Sequence, residues 1–363
     1  MASLNDLPLR PDLRGKEAYG APMVPVRYAL NVNENTHPVP VEVRNSILEA
    51  LGAALENINR YPDREFTTLR EALASYASGS HRGNNLSADM VWAANGSNEV
   101  LQHVLQAFGG PGRSVLGFPP TYSMHPIIAE STGTAWIAGK REEDFTMTSE
   151  SVVADIQQHH PDVVFFCAPH NPTGTPVSLD TIVAAYEATQ GVVLVDEDYV
   201  EFLPEGTPTA SELLEGRERL VVSRTMSKAF AFAGARVGYL LGDPAMMDAM
   251  RLVRLPYHLS SLTQAAAVAA LAHQETMLTM VADIRSQRDR LLSELPTLGY
   301  PTVYSEANFV LFGGVEDPQA LFRQLLAEDI LVRDVGIPHH LRVTAGTQDE
   351  TGYFLDTLAK LSG

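Results

Sequence analysis

Leu220-Val-Val-Ser-Arg-Thr-Met-Ser-Lys-Ala-Phe-Ala-Phe-Ala-Gly-Ala-Arg-Val-Gly-Tyr239 opens as a β-branched run, passes through Lys228 and closes on glycine. The opening run Leu220–Ser223 reads as a buried strand, and the residues after it turn at once to small and hydroxyl side chains. Runs of the same kind stand upstream at Ser114–Phe118, Val163–Cys167 and Val192–Val195, each flanked by turn residues. Helical periodicity, as at Asp180–Gln190, lies between them. Short strand, turn and helix in that rhythm predict an α/β fold with a mostly parallel sheet between helices.

Upstream of this region, helical spacing appears at Val41–Leu55, Thr67–Ala77 and Glu99–Phe108. The first thirty residues mix Pro, Arg and apolar residues without helical period and read as an extended arm. Beyond about Pro244 the rhythm changes. A long Ala- and Leu-rich helical stretch, Leu262–Glu294, is followed by mixed elements at Asn308–Phe312, Pro318–Glu328 and Leu341–Thr344, which read as a second, smaller α+β domain. The length of 363 residues suits about two domains. There is no internal repeat and no low-complexity segment.

Forty-four acidic against 26 basic residues leave a net charge of −18. That sign argues against nucleic acid or an anionic membrane as the main partner. No apolar run approaches the roughly 18 residues that span a bilayer. The N-terminus lacks the apolar stretch of a signal peptide, so a cytoplasmic location is expected. A single cysteine, Cys167, excludes an internal disulfide and a cysteine-built zinc cluster, and no metal site is expected. Cys167 lies inside an apolar run and reads as a small buried hydrophobe.

Lysine is mostly a solvated residue. Lys228, however, follows a strand and is surrounded by Ala, Phe and Gly, which points to a partly buried amine with a lowered pKa and nucleophilic character. Thr225, Ser227 and Arg236 add hydroxyl and guanidinium donors suited to a phosphate. A lysine tether beside phosphate donors suggests pyridoxal phosphate. Asp196, at the carboxyl end of Val192–Val195, stands where α/β sheets bind ligands and could pair with a protonated pyridine nitrogen; the lesser alternative is a strand-end turn or helix cap. Asn171, in the turn Ala168-Pro-His-Asn-Pro-Thr-Gly174, reads as a turn-former or, with Tyr199, as a partner of the ring oxygen. Ala94-Asn-Gly-Ser-Asn-Glu99 opens a helix whose N-terminal amides, with Ser97 and Asn98, could cradle an anion. Tyr122 offers an aromatic face for a flat heterocycle, or core packing.

Taken in order, these motifs closely resemble the class II, fold-type-I pyridoxal-phosphate aminotransferases, and within them the actinobacterial histidinol-phosphate aminotransferases. The resemblance runs along nearly the whole chain, including Leu30-Asn-Val-Asn-Glu-Asn35, Asn59-Arg-Tyr-Pro-Asp63 and Leu341-Arg-Val-Thr-Ala-Gly-Thr347. It implies a large domain with a mostly parallel seven-stranded sheet (59–250), a discontinuous small domain (31–58 and 251–363) and an N-terminal arm (1–30). It implies Lys228 as covalent anchor and general acid/base, Asp196 on the pyridine nitrogen, and Asn171 and Tyr199 on the ring oxygen. Tyr122 would stack on the ring, and Ser97, Asn98, Thr225, Ser227 and Arg236 would hold the phosphate. Tyr61 would reach across a homodimer interface to the neighbouring cofactor, so the active sites would be shared.

The same resemblance implies transamination between histidinol phosphate and 2-oxoglutarate, giving imidazole-acetol phosphate and glutamate, in histidine biosynthesis. Arg342 would take the substrate carboxylate or phosphate in turn, with Arg333 as a second donor or a solvated strand-end charge. Tyr19, Asn98, Tyr122 and Tyr257 would line the substrate pocket. An aromatic aminotransferase shares every cofactor residue and stands as the alternative. A pyridoxal-phosphate-dependent decarboxylase of the threonine-phosphate type on the same scaffold would differ by releasing carbon dioxide, and a dehydrogenase is disfavoured because no Gly-x-Gly-x-x-Gly follows an early strand. Two departures stand out: Thr36 where the family has Pro, and Asp196-Glu-Asp-Tyr199, which sets an additional carboxylate, Asp198, near the site.

Overall fold

The computed structural model describes residues 3–79 and 85–362. After two single 3₁₀ turns the chain reaches β1 (Tyr28–Ala29), α1 (Val41–Leu55), α2 (Thr67–Gly79), β2 (Val91–Ala94) and α3 (Ser97–Phe108). The alternating part follows as β3 (Ser114–Gly117), α4 (Met124–Thr132), β4 (Ala135–Ala138), α5 (Ser149–His159), β5 (Val163–Cys167), α6 (Leu179–Ala188) and β6 (Val192–Asp196). Next come β7 (Leu220–Thr225), β8 (Gly238–Leu241), α7 (Pro244–Val253), α8 (Ser261–Leu271) and α9 (Gln274–Glu294). The chain ends with β9 (Phe309–Phe312), α10 (Pro318–Ala327), β10 (Ile330–Leu331), β11 (Leu341–Thr344) and α11 (Gln348–Ser362).

Seven strands form one sheet in the order β2-β8-β7-β6-β5-β3-β4. All neighbours are parallel except β8, which runs antiparallel to both β2 and β7. Every residue of β5, β6 and β7 is buried, as strands covered by helices on both faces require. This is the α/β class with the mostly parallel sheet expected from the sequence.

Helix starts follow local chemistry. Thr148, Ser178, Ser260 and Asp317 each accept a backbone N–H of the first turn, and Pro318 occupies the first position of α10. The stretch Leu262–Glu294 is two helices rather than one. His273 leaves helical geometry (φ −113°, ψ 29°) between α8 and α9, although no Gly or Pro marks the break. The two helices then take different partners: α8 packs on α1 and α2, α9 on α11.

Two small sheets lie outside the large one. β1 pairs parallel with β10, and β9 pairs antiparallel with β11. A bridge between Arg333 and Arg342 extends the second. Through β1 and α1, the N-terminal segment packs on residues from the last third of the chain.

Candidate active site

The ends of β5, β6 and β7 lie in register, with Cys167 beside Asp196 and Asp196 beside Ser223. Their carboxyl edge opens on a cavity of about 380 Å³, the position where parallel sheets bind ligands. Twelve of the fifteen side chains given a catalytic or binding role from the sequence line it, together with Cys167 and Asp198; Thr225, Tyr61 and Tyr257 do not.

Asp196 is buried and fixed from two sides. Ser223 Oγ donates to its Oδ1 at 2.9 Å, and His125 Nε2 lies 3.1 Å from its Oδ2. His125 is itself fully buried, on α4 three residues past Tyr122. A carboxylate held this way is oriented and kept ready to accept one further donor from the cavity.

Tyr199 OH receives amide donors from Asn171 (3.1 Å) and Asn33 (2.9 Å). With two donors on its oxygen, the phenol proton is left to point at a third partner. Burial raises the Tyr199 pKa well above the ordinary range, so that proton is retained at neutral pH. Asn171 Oδ1 in turn accepts from Arg342 Nη1 at 2.6 Å. Arg342 also donates to the Asn31 carbonyl (2.9 Å), while its Nε is buried without a partner among the described residues. Burial brings the Arg342 guanidinium down to about 10, so it stays a cation at neutral pH.

Lys228 directs its amine into the same space, 3.1 Å from the Val32 carbonyl. Burial lowers its pKa to about 8, partly offset by the negative charge of Asp198. About one amine in ten is therefore a neutral nucleophile at pH 7, far more than for an ordinary lysine.

The opposite end of the cavity is built for an anion. Ser97 is the first residue of α3, and no side chain caps that helix. The amides of Ser97 and Asn98 are therefore open N-terminal donors. Gly96 (φ +86°) makes the approach possible: a Cβ there would lie 2.2 Å from Arg236 Nη2. Gly238 does the same from β8, since its Cβ would fall 2.2 Å from Ser97 N. Thr225 sits just beneath the wall, 2.9 Å from Ser227 Oγ, and Arg236 Nη1 reaches the same hydroxyl at 3.5 Å.

Tyr122 OH donates to Asn98 Oδ1 at 3.2 Å, tying the aromatic wall to α3. Tyr19 of the arm and Arg333 close the remaining sides. Tyr61 is 80% exposed and stacks on Tyr257, ring centroids 4.5 Å apart. The expectation that Tyr257 lines the pocket is not met within one chain, because it faces outward with Tyr61. Cys167 is buried as expected, its thiol pushed well up by burial.

His125, Asn33 and Asn31 escaped the sequence reading. His125 carried a usable signal, since a helix begun just after Tyr122 puts it beside the strand ends. Asn33 and Asn31 lie in the Leu30–Asn35 segment that carries the family resemblance, but no local pattern gave either a role.

The family profile described as aminotransferase class I and II matches residues 28–358. A histidinol-phosphate aminotransferase of Paenarthrobacter aurescens is 56% identical over 99% of this chain and 96% of its own length. One from Thermobifida fusca is 51% identical over 99% of this chain and 97% of its own. Among solved structures, the Sinorhizobium meliloti histidinol-phosphate aminotransferase in complex with pyridoxal-5'-phosphate superposes with a TM-score of 0.82 at 23% identity, over 93% of this chain and 91% of that one. A Thermus thermophilus aspartate aminotransferase with maleate gives 0.81 at 23%, over 93% and 92%; at that identity the likeness concerns the fold. Profile, full-length relatives and fold agree, and the chain belongs to the class I and II aminotransferases.

Proposed function

We propose that the protein is a pyridoxal-phosphate-dependent transaminase that moves an amino group between histidinol phosphate and 2-oxoglutarate, yielding imidazole-acetol phosphate and glutamate in histidine biosynthesis. The observation that carries this reading is the Lys228 amine, lowered to about 8, in one cavity with the braced Asp196 and an uncapped helix N-terminus. The names of the full-length relatives support the substrate. They do not favour the aromatic aminotransferase alternative.

The residues fit the cofactor. Gly96 and Gly238 leave room at α3 that any Cβ would fill, and Ser97, Asn98, Ser227 and Arg236 surround it, with Thr225 behind, as donors for a phosphate. Asp196 would hold the pyridine nitrogen in its protonated form, and Tyr199 with Asn171 would hold the ring oxygen. When bound, pyridoxal phosphate supplies a carbonyl that joins amines and a ring that takes up charge from the substrate carbon.

Lys228 Nζ would hold the cofactor covalently and, when free, would act as general acid/base, carrying the proton between the substrate Cα and the carbonyl carbon of the cofactor. His125 and Ser223 keep the Asp196 carboxylate aimed while that proton moves. Arg342 binds the carboxylate of glutamate in one half-reaction and the phosphate of histidinol phosphate in the other, since both anions accept the same paired donors. Arg333, bonded to Arg342 through the backbone at 2.8 and 2.9 Å, adds a second cation suited to the phosphate. Tyr122 would cover the ring, and Tyr19 would close the pocket from the arm.

The arm (1–30), the large domain (59–250) and the small domain (31–58 with 251–363) form part of this reading, supported by the β1–β10 pairing and the packing of α1 on α8. So does a homodimer. Tyr61, Tyr257, Leu252 and Leu255 are all exposed, and Tyr61 would serve the partner's cofactor. A cytoplasmic site of action fits a biosynthetic transaminase; among the described residues no helix is long and apolar enough to cross a membrane. With glutamate as donor, kcat/KM for imidazole-acetol phosphate should exceed that for phenylpyruvate by at least about tenfold. The reverse order would replace this reading with the aromatic one.

A further inference from the structure

Among the described residues, Asp198 is the one buried carboxylate of the cavity that the proposed reaction does not use; Glu34 and Asp334 also line it but are exposed or half-buried. It is buried, and it lies two residues beyond Asp196. Its Oδ2 accepts the Ser97 hydroxyl at 2.8 Å, and its Oδ1 has no partner among the described residues. Ser97 has a single hydroxyl proton, and Asp198 takes it. Ser97 also opens the uncapped helix end assigned to the cofactor phosphate. A phosphate dianion arriving there meets a carboxylate where the other residues of the cradle present donors.

The groups around Asp198 do little to neutralise it. Asp196, from β6, has the same sign, and its partner His125 lies behind it on α4. Tyr122, Tyr199 and Cys167 all feel the negative charge of Asp198 through their own raised pKa values. Lys228 is the cation that opposes Asp198, and the cofactor claims that amine. Burial first, and Asp196 second, raise the Asp198 carboxyl well above the ordinary carboxylate range, against the Ser97 bond and Lys228.

We infer that Asp198 makes cofactor retention proton-linked: the phosphate is accepted at α3 with the Asp198 carboxyl neutral, and rising pH expels it. The inference rests on the pyridoxal-phosphate reading of the cavity. Its balance is simple: one proton enters from solvent onto Asp198 as the phosphate binds and leaves again when it departs. A neutral carboxyl can donate to the phosphate and leaves the Ser97 hydroxyl free to do the same. An ionised one offers only acceptors. Ligand binding that requires a protonated group weakens by up to about tenfold per pH unit above that group's pKa.

The test uses the full-length chain stripped of cofactor and titrated with pyridoxal phosphate, Kd being read from the visible absorption band. The cofactor phosphate and Lys228 titrate as well, so the informative quantity is the ratio of wild-type Kd to variant Kd. For Asp198→Ala and Asp198→Asn that ratio should stay near one at about pH 6 and climb to tenfold or more by about pH 9. With pyridoxal, which lacks the phosphate, it should stay level. A level ratio with pyridoxal phosphate overturns the inference, as do variants that bind more weakly at every pH or an equal climb with pyridoxal. Absence of the visible band in the wild type at any pH would overturn the cofactor reading itself, a different failure.

Discussion

Four carboxylates fall within six residues at the end of β6, and the chain divides them between two environments. Glu197 and Glu201 face the interior; Asp196 and Asp198 line the cavity. The interior side carries its own cation. Arg224 donates to Glu197 through Nε (3.0 Å) and Nη2 (2.8 Å), and Glu197 also accepts the Ala210 N–H at 2.7 Å. Thr209 and Ser211 accept from the same guanidinium. Burial alone would lower the Arg224 pKa, but Glu197 holds it above its ordinary range. The cavity side is arranged differently: among the described residues neither Asp196 nor Asp198 has an ion pair with a lysine or arginine, only His125 beside Asp196. Two adjacent acid pairs thus separate a job done within the fold from one left for a ligand.

Two substitutions break this contrast most strongly. Lys228→Ala should abolish turnover and the visible cofactor band while leaving the urea midpoint near that of the wild type. Arg224→Ala should do the opposite. It strands Glu197 in the interior, a change that typically costs about 3–5 kcal/mol of stability in urea titrations. An Arg224→Ala chain as stable as wild type would mean that the interior acids are not held by that cation.

How legible was this in the sequence? β5 fell on the expected residues because a strand buried on both faces is written in unbroken apolar letters; β11 did so too, although Arg342 and Thr344 interrupt its apolar run. β4 was passed over: Ala135–Ala138 lies at the edge of the sheet, and its residues are exposed or half-buried. β8 was hidden because Gly238-Tyr-Leu-Leu241 begins inside the stretch already read for its lysine. The site divides the same way. Asp196 ends a strand, and Lys228 and Asn171 sit just past one, where local order announces them. His125 meets Asp196 across 71 residues, and Asn33 meets Tyr199 across 166. Such pairs are made by topology, which a local pattern does not carry.

Glu201 sharpens the interior half of the comparison. Tyr76 OH donates to its Oε1 at 2.9 Å, and burial pushes its pKa up to about 7 against the pull of Arg224. Folded, the carboxyl holds its proton to about pH 7; unfolded, it releases it near the ordinary value of about 4.3. Between those values the folded chain binds more protons, so stability falls as the pH rises through this window and levels off above it. Glu201→Gln should remove that fall, worth up to about 4 kcal/mol. Urea titrations from about pH 4 to 8 would show it as a flatter profile. An unchanged slope would assign the pH dependence to other groups.

The smallest effect is expected on the cavity side, at Asn33. Its backbone is left-handed (φ 59°), so Asn33→Gly keeps the conformation and removes only the amide. Tyr199 then has one donor on its oxygen instead of two, and its proton is less strictly directed at the ligand. The Asn33 bond also holds the Tyr199 pKa down, against burial, so its loss pushes that phenol further up. One hydrogen bond of this kind is worth about 1 kcal/mol, or about fivefold in kcat. Any alkaline limb set by Tyr199 should move to higher pH in the same variant. A residue that only packed the loop would lower stability and leave the limb in place; a fall in kcat without that shift would remove Asn33 from the positioning of Tyr199.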